Sequence, residues 1–377
     1  MFPKCLLFFA FINGKIKWIK TENRLSARYF GKEVHMSEEL SCSTHLKQKN
    51  IAAIRTVLYG MECATKKDIA AACGLSLAAC TSLLAEMIAD GQVLELSYAA
   101  PNGGRPARRF SLNSDYAHIL CLYTDNNSFD STGLALRIFD LSGNVLREKF
   151  YPLNDIHPDD LVALVTETVE KDPLIRAIGI GISGHVLRDG EIASCSFHDL
   201  QHFNPKKVLE EKLGLTVLTE NDMYFASYGF YIKNRSDHPY SLSVLYWPSH
   251  DGAGAGSVVD GKVVVGSTKF AGGIICLPFP NGSLSMEESL SRMIRGDETV
   301  SMMGTAAICS IALINPDVIF ITGSEADNVN LEDIERYCMQ TVPKDHLPVF
   351  KLQANRHEEY MTGIFERARE EMPFKRL

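Results

Sequence analysis

Three stretches of this chain carry residue types that can do chemistry. In LTVLTENDMYFASYGFY, Glu220, Asn221 and Asp222 close a short apolar run over residues 215–218. Polar groups at the carboxyl ends of strands are where α/β folds hold ligands, and these side chains can bind hydroxyl groups. The second stretch, HDGAGAGSVVDGKVVVGSTKFAGGIIC, is rich in glycine, as a backbone that wraps a phosphate or a sugar must be. A catalytic or metal-binding loop is expected to add acids, histidines or paired cysteines. This one offers Gly273 and a lone Cys276. In the third stretch, GGRPARRF, Arg105, Arg108 and Arg109 are grouped so that they can reach nucleic-acid phosphates or a minor groove.

The elements that must position these groups are legible in outline. Ile51, Ile54, Val57 and Leu58 form a helical stripe within residues 46–60. Thr65 is placed to cap a helix through Ala72, with Asp68 near its start, and Gly74 permits a turn. Ser76 then caps a second helix to about Asp90, which Gly91 ends. Ile69, Leu75, Cys80, Leu84 and Met87 are expected to pack the helices together. Two strands around the Gly103, Gly104 and Pro106 loop follow, so the pattern predicts a winged helix-turn-helix. No Lys or Arg lies between Ser76 and Asp90. Base reading therefore falls to Ser76, Leu77, Thr81 and Ser82, and backbone contact to Lys66, Lys67 and the three arginines. A small protein-interaction module with solvent-facing arginines is the alternative.

From about residue 118 the chain alternates strands, glycine turns and helices. Strands are expected at 119–123, 134–139 and 145–151, with a hairpin at Ser142, Gly143 and Asn144, and helices at 157–171 and 205–213. The rhythm recurs in SLSVLYWPSHDGAGAGSVVDGKVVVGS and TAAICSIALINPDVIFITGSEA, which suggests a duplicated α/β core with a cleft between its halves.

Bulk properties bound the class. The 377 residues are 46% hydrophobic and 22% charged, with formal net charge −8. That describes a globular chain of two or three domains, and any nucleic-acid contact must come from a local patch. None of the ten cysteines forms a CxxC or CxC pair. A reducing cytosol is expected, with no disulfide framework and no clustered zinc site. The opening MFPKCLLFFAFINGKIKWIK has an apolar run too short to span a bilayer. A signal peptide and a membrane-surface segment are alternatives to a disordered or misassigned leader, with the working chain starting near Met36.

The order of these motifs resembles the ROK family, bacterial sugar kinases and the sugar-responsive repressors related to them. The likeness runs from about residue 47 to 375. The helices followed by GGRPARRFSLN resemble the repressor branch; VLTENDMYFASYG and HDGAGAGSVVDGKVVVGSTKFAGG resemble the sugar-binding core; ALINPDVIFITG resembles the late strand motif. The resemblance implies an actin-like, hexokinase-like (ribonuclease H-like) body of two α/β lobes, assembled as dimers or tetramers. On this basis residues 1–45 are a leader, 46–113 a winged helix-turn-helix domain, 114–235 a first lobe and 236–377 a second. A C-terminal helix is free to return to the first lobe.

Departures from the family pattern decide the expected function. The first phosphate turn reads CLYTDNNSFDSTG, where Asp125 remains but Asn126, Asn127 and Ser128 replace glycines. His250, Asp251 and Gly252 stand where the family has Gly-Thr-Gly, and a carboxylate there repels a triphosphate. Asp222 matches the family's catalytic base, Asn221 a sugar-binding residue, and Asp199 the place of another. Gly272 and Gly273 belong to the glycine-rich sugar-binding stretch. The family's Glu and His fall at Gly273 and Cys276, and PFPNGSLSMEESL replaces its zinc-binding cysteines. No cofactor, metal or kinase activity is therefore expected, and Asp222 is read as vestigial.

The expected protein is a cytoplasmic regulator of carbohydrate metabolism, a homodimer or homotetramer that binds a double-stranded DNA operator. A sugar or sugar phosphate in the cleft would shift its population between states of different DNA affinity. A sugar kinase and an interaction protein with unused pockets are the alternatives. Asn221 and Asp222 also suit a strand-end cap, Asp199 and His198 suit loop polar groups, and His185 and His250 lack a local metal motif.

Overall fold

A computed structural model describes residues 9–12, 15–18, 33–98, 107–125, 132–153, 156–234, 240–248, 252–279, 299–353 and 355–373. The chain divides into two compact units, residues 1–48 and 49–377. In the first, β1 (Phe9–Ile12) pairs antiparallel with β2 (Lys15–Trp18). Much of the expected leader lies outside the described residues. Helix α1 (Glu33–Met61) starts well before the stripe that predicts it at residue 46.

Within residues 49–377 the first elements are β3 (Ala64–Thr65), α2 (Lys66–Cys73) and α3 (Leu77–Ala89). Thr65 and Asp68 form a reciprocal capping box, which ends the preceding strand and starts α2. Gly74 adopts φ 64°, a left-handed turn that a side chain would strain. Ser76 Oγ accepts the Ala79 amide and starts α3. The chain bends by 112° between α2 and α3. Strands β4 (Val93–Tyr98) and β5 (Arg108–Leu112) pair antiparallel, with β3 on the other edge of β5.

The body opens with β6 (His118–Asp125), β7 (Gly133–Asp140) and β8 (Val145–Pro152), an antiparallel meander. Next come α4 (Pro158–Lys171) and β9 (Ile175–Ile182), then β10 (Gly184–Val186) and β11 (Ile192–Cys195) as a small hairpin. After α5 (Pro205–Leu213), β12 (Thr216–Asn221) runs into α6 (Asp222–Lys233). The sheet order is β12-β9-β6-β7-β8, with β6, β9 and β12 parallel.

The remaining chain repeats that plan. It contains β13 (Leu242–Tyr246), β14 (Gly254–Val259), β15 (Lys262–Val263), α7 (Thr299–Ile314), β16 (Val318–Thr322), α8 (Leu331–Cys338), β17 (Val349–Leu352) and α9 (His357–Glu371). Its order, β15-β14-β13-β16-β17, again joins an antiparallel meander to parallel strands added on the other side of the first. The two sheets therefore have matching topology, as the repeated sequence rhythm suggests.

Helix α9 packs on the first sheet and on α6, through glycines. A Cβ at Gly181 of β9 would meet Tyr360 Oη at 2.2 Å, and one at Gly229 of α6 would meet Glu359 O at 1.7 Å. One hydrophobic core runs without interruption from Ile51, Ile69 and Leu84 in the front helices, through Ile119 and Phe139 in the sheet, to Ile364 and Met372. A second core lies among β7, β9, α4 and α5, and two more lie in the second half of the body.

Candidate functional site

A cavity of about 410 Å³ is lined by both halves of the body. That volume suits a small molecule. From the first half come the β10–β11 hairpin, with Ser183, Gly184, His185 and Ser194, and the β12–α6 junction. From the second come Tyr246, β14 and the segment around Lys269–Gly273.

The junction is built by Asn221. Its Oδ1 accepts the Met223 amide at 2.8 Å and so caps α6, and its Nδ2 donates to the Gly184 carbonyl at 2.5 Å. The carboxamide is thus engaged in structure while it lines the cavity. The same cap sets Asp222 in the first turn of α6, where its side chain is buried. Asp222 Oδ2 accepts from Arg356 Nη2 at 2.9 Å. The guanidinium lies 3.7 Å from the centre of the Tyr246 ring and 5.1 Å from that of Tyr360. Burial opposes the Arg356 charge, but Tyr246 and then Asp222 outweigh it and hold the pKa above the ordinary value. Asp222 is therefore one half of a buried ion pair, not a free base.

A second pair, Lys269 Nζ to Glu220 Oε1 at 2.8 Å, flanks the first. Glu220 Oε2 is buried with no hydrogen-bond partner among the described residues. Tyr224 donates to the carbonyls of Ala271 at 3.1 Å and Val265 at 3.3 Å, and burial, aided by Glu220, pushes its pKa up to about 12. Gly272 has φ 88°, and a Cβ there would sit 1.9 Å from Ala255 O. This glycine serves a close backbone crossing, in which its own carbonyl accepts the Ala255 amide at 2.9 Å. Gly273 follows, with a Cβ position 3.0 Å from the Phe270 ring. Across the cavity, His185 meets the Phe270 ring edge-on at 5.5 Å. Arg188 donates to the carbonyls of Ser267 at 2.8 Å and Gly266 at 3.2 Å, which ties the two sides together.

Of the residues singled out in the sequence, Asn221, Asp222, Gly272, Gly273, Gly252 and His185 line this cavity. Asp199 is outside the lining. It is exposed, on a 3₁₀ turn after β11, with Oδ2 2.5 Å from His157 Nδ1. The turn after β11 holds it against α4's start, and a local motif carries no sign of that distance. Asn126, Asn127, Ser128, His250 and Asp251 lie outside the described residues, as does the side chain of Asp125. Cys276 is exposed, and no group of three or more potential metal ligands occurs among the described residues. Sequence reasoning missed Lys269, Tyr246 and above all Arg356, which reaches Asp222 from 134 residues away.

The front helices place Lys67, Ser76, Leu77 and Ser82 at the surface, and Thr81 and Lys66 half-buried. Lys66 Nζ lies 5.4 Å from the Phe110 ring centre. Ser76 is the N-cap of α3, so its oxygen is already an acceptor. Arg108 is ion-paired with Glu95 on the neighbouring strand. Arg109 Nη1 donates toward Cys63 Sγ at 3.7 Å, and its Nε is buried without a partner among the described residues. Arg105 lies outside the described residues.

A ROK family model matches residues 131–275. The xylose repressor of Staphylococcus xylosus is 28% identical over 189 residues, which are 46% of this chain and 45% of that protein. The DNA-binding transcriptional dual regulator NagC of Escherichia coli (strain K12) is 25% identical over 238 residues, 59% of this chain and 55% of the regulator. The chain thus spans about half the length of the curated relatives it matches. Among solved structures, a ROK family transcriptional regulator described as a homologue of the E. coli MLC protein superposes with TM-score 0.69 at 18% identity, over 86% of this chain and 97% of that one. A ROK hexokinase from Thermus thermophilus does so with TM-score 0.50 at 19% identity, over 67% of this chain and 97% of the enzyme. These likenesses establish an α/β fold of the kind shared by ROK regulators and sugar kinases.

Proposed function

We propose that this chain, whose residues 131–275 are a ROK family domain, is a sequence-specific transcriptional repressor of carbohydrate metabolism. Residues 46–113 are read as its winged helix-turn-helix, residues 114–235 and 236–377 as the two lobes of a sugar-responsive body. The 112° bend between α2 and α3, with a hairpin after it, suits that motif. α3 presents Leu77, Ser82 and small alanines, and Lys66, Lys67, Arg105, Arg108 and Arg109 are the cations for the backbone. Two such heads in a cytoplasmic dimer or tetramer would meet two half-sites of an operator.

The observation that carries this reading is the engagement of Asp222 by Arg356 in a cavity that is otherwise built to hold hydroxyl groups. A carboxylate held by a buried guanidinium is a poor acceptor for a sugar proton, so the site favours binding over phosphoryl transfer. The lining supports a neutral polyhydroxylated ligand more than a phosphate. The ion pairs of the wall, Lys269 with Glu220 and Arg356 with Asp222, each cancel and offer an anion no net positive charge. Asn221, Asp222, Gly272 and Gly273 are its proposed contacts; Asp199 is not among them.

Electrophoretic shift of the DNA upstream of its own gene tests the first part. The triple change R105A/R108A/R109A should weaken binding at least about tenfold and flatten its salt dependence. Calorimetry with xylose, N-acetylglucosamine and their phosphates tests the second. No binding of any at millimolar concentration removes the sugar effector, and ATP turnover with a hexose would restore the kinase reading.

A further inference from the structure

Helix α9 touches both parts of this function, and buried arginines make both contacts. At its start, Arg356 holds Asp222 in the cavity wall at 2.9 Å. Past its end, Arg55 of α1 is fully buried. Arg55 Nη1 donates to the carbonyls of Arg369 at 3.4 Å and Met372 at 2.9 Å, and Nη2 to that of Pro373 at 3.3 Å. The carbonyls at a helix C-terminus are the negative end of its dipole, which suits a cation with no carboxylate of its own. The other edge of the guanidinium goes to Gln92 Oε1, 2.8 Å from Nη2 and 3.1 Å from Nε. Gln92 Nε2 donates to Asp90 Oδ2 at 2.7 Å, and Asp90 is the residue that terminates α3. An unbroken run of hydrogen bonds therefore joins the end of α9 to the end of α3.

Between these contacts lies a single rod of 15 residues, about 22 Å long. Gly229 and Gly363 let α6 and α9 meet backbone to backbone, and Gly179 and Gly181 leave room on the sheet for the side chains of Ile364 and Tyr360. α6 is also the helix that begins with Asp222. A ligand hydroxyl that donates to Asp222 shares the carboxylate that Arg356 uses, and so weakens or re-aims that bond. Arg356 stands at the N-terminus of α9, so the first turn of the helix is the element placed to respond.

We propose that α9 is the coupling element between cavity and DNA-binding head, with Asp222–Arg356 as its input and Arg55–Gln92–Asp90 as its output. This rests on the reading of the cavity as the effector site. Arg356, Arg55 and Gln92 are positioning residues that act through helix displacement, a shear of packed elements. Coupling of this kind is reciprocal, which makes it testable from either end without a ligand.

The experiment is amide hydrogen exchange on the full chain, comparing wild type with R356K and R55K. R356K should raise exchange at least about tenfold at residues 86–95, far from the substitution, and R55K should do so at residues 222–230. Changes confined to each substituted residue's own neighbours overturn the proposal. If R356K does not fold, Gln92→Met, of similar volume, breaks the path at its far end and is read at residues 222–230 by the same criterion. The sugar and DNA measurements above fail separately. Coupled ends with no sugar response would remove the effector and leave the coupling, whereas a sugar response with uncoupled ends would do the reverse.

Discussion

Asp222 lines the cavity with a carboxylate that a buried guanidinium already engages. Its backbone place, at the first turn after a parallel strand, faces the cavity. Its carboxylate belongs to Arg356, and both side chains are buried. Removing one partner of such a pair strands the other charge, so Asp222→Asn should cost about 3–5 kcal/mol in urea denaturation. The double change D222N/R356M should recover much of that loss. An unchanged stability of D222N would mean that the Tyr246 and Tyr360 rings, not the carboxylate, hold Arg356. The place of Asp222 was legible because Glu220, Asn221 and Asp222 are contiguous with the strand that carries them. Its partner was not, because a contact across 134 residues leaves no local pattern in one sequence. Asp199 fails as a cavity residue for the converse reason: its polar neighbourhood in SFHDLQHF is visible, but its pairing with His157 on the outside is not.

At the scale of elements, local chemistry predicts well and helix crossings do not. Thr65 and Ser76 were readable as caps because a cap bonds an amide three residues on. Thr65→Ala should cost about 1 kcal/mol at neutral pH. Asp68 adds a sign to this. Its hydrogen bonds, first from the Thr65 side chain and then from the Thr65 amide, hold its carboxyl below the ordinary range. A folded-state pKa below the unfolded one, about 3.9, gives stability that is present above that pH and lost as pH falls through the folded value. T65A should therefore unfold with a shallower acid limb than wild type, as followed by circular dichroism; an unchanged limb would remove Asp68 from the account. The α6–α9 crossing had no such signature, since Gly229 and Gly363 look like ordinary helix-weakening residues in isolation. A Cβ at residue 363 would lie 1.8 Å from Phe225 O. Gly363→Ala should consequently destabilise by about 3 kcal/mol or more, in contrast to the small gain an exposed helical glycine would give. The start of α1 at Glu33 was also missed, because the apolar stripe that marks the helix begins only near Ile51.

At the scale of the molecule, the front helices are not a head on a tether. Ile51, Ile54 and Leu58 of α1 share a core with the first sheet and with α9, and Tyr59 packs on Phe365 with ring centres 5.6 Å apart. Arg55 finds three of its acceptors only beyond residue 368. The local patterns of residues 46–113 carry no sign of this dependence, because the C-terminal helix that completes the core is some 300 residues distant in the chain. A fragment of residues 46–113 would expose that apolar surface and leave a buried arginine without its carbonyls. So small a domain has little stability to spare. The isolated fragment should thus show little helix by circular dichroism, while residues 46–377 unfold with coincident loss of front-helix and first-sheet signals in denaturant. A fragment that folds and shifts DNA alone would mean that the head is autonomous. The shared core would then be a docking contact, and a ligand could act only by moving whole heads relative to one another rather than through the end of α3.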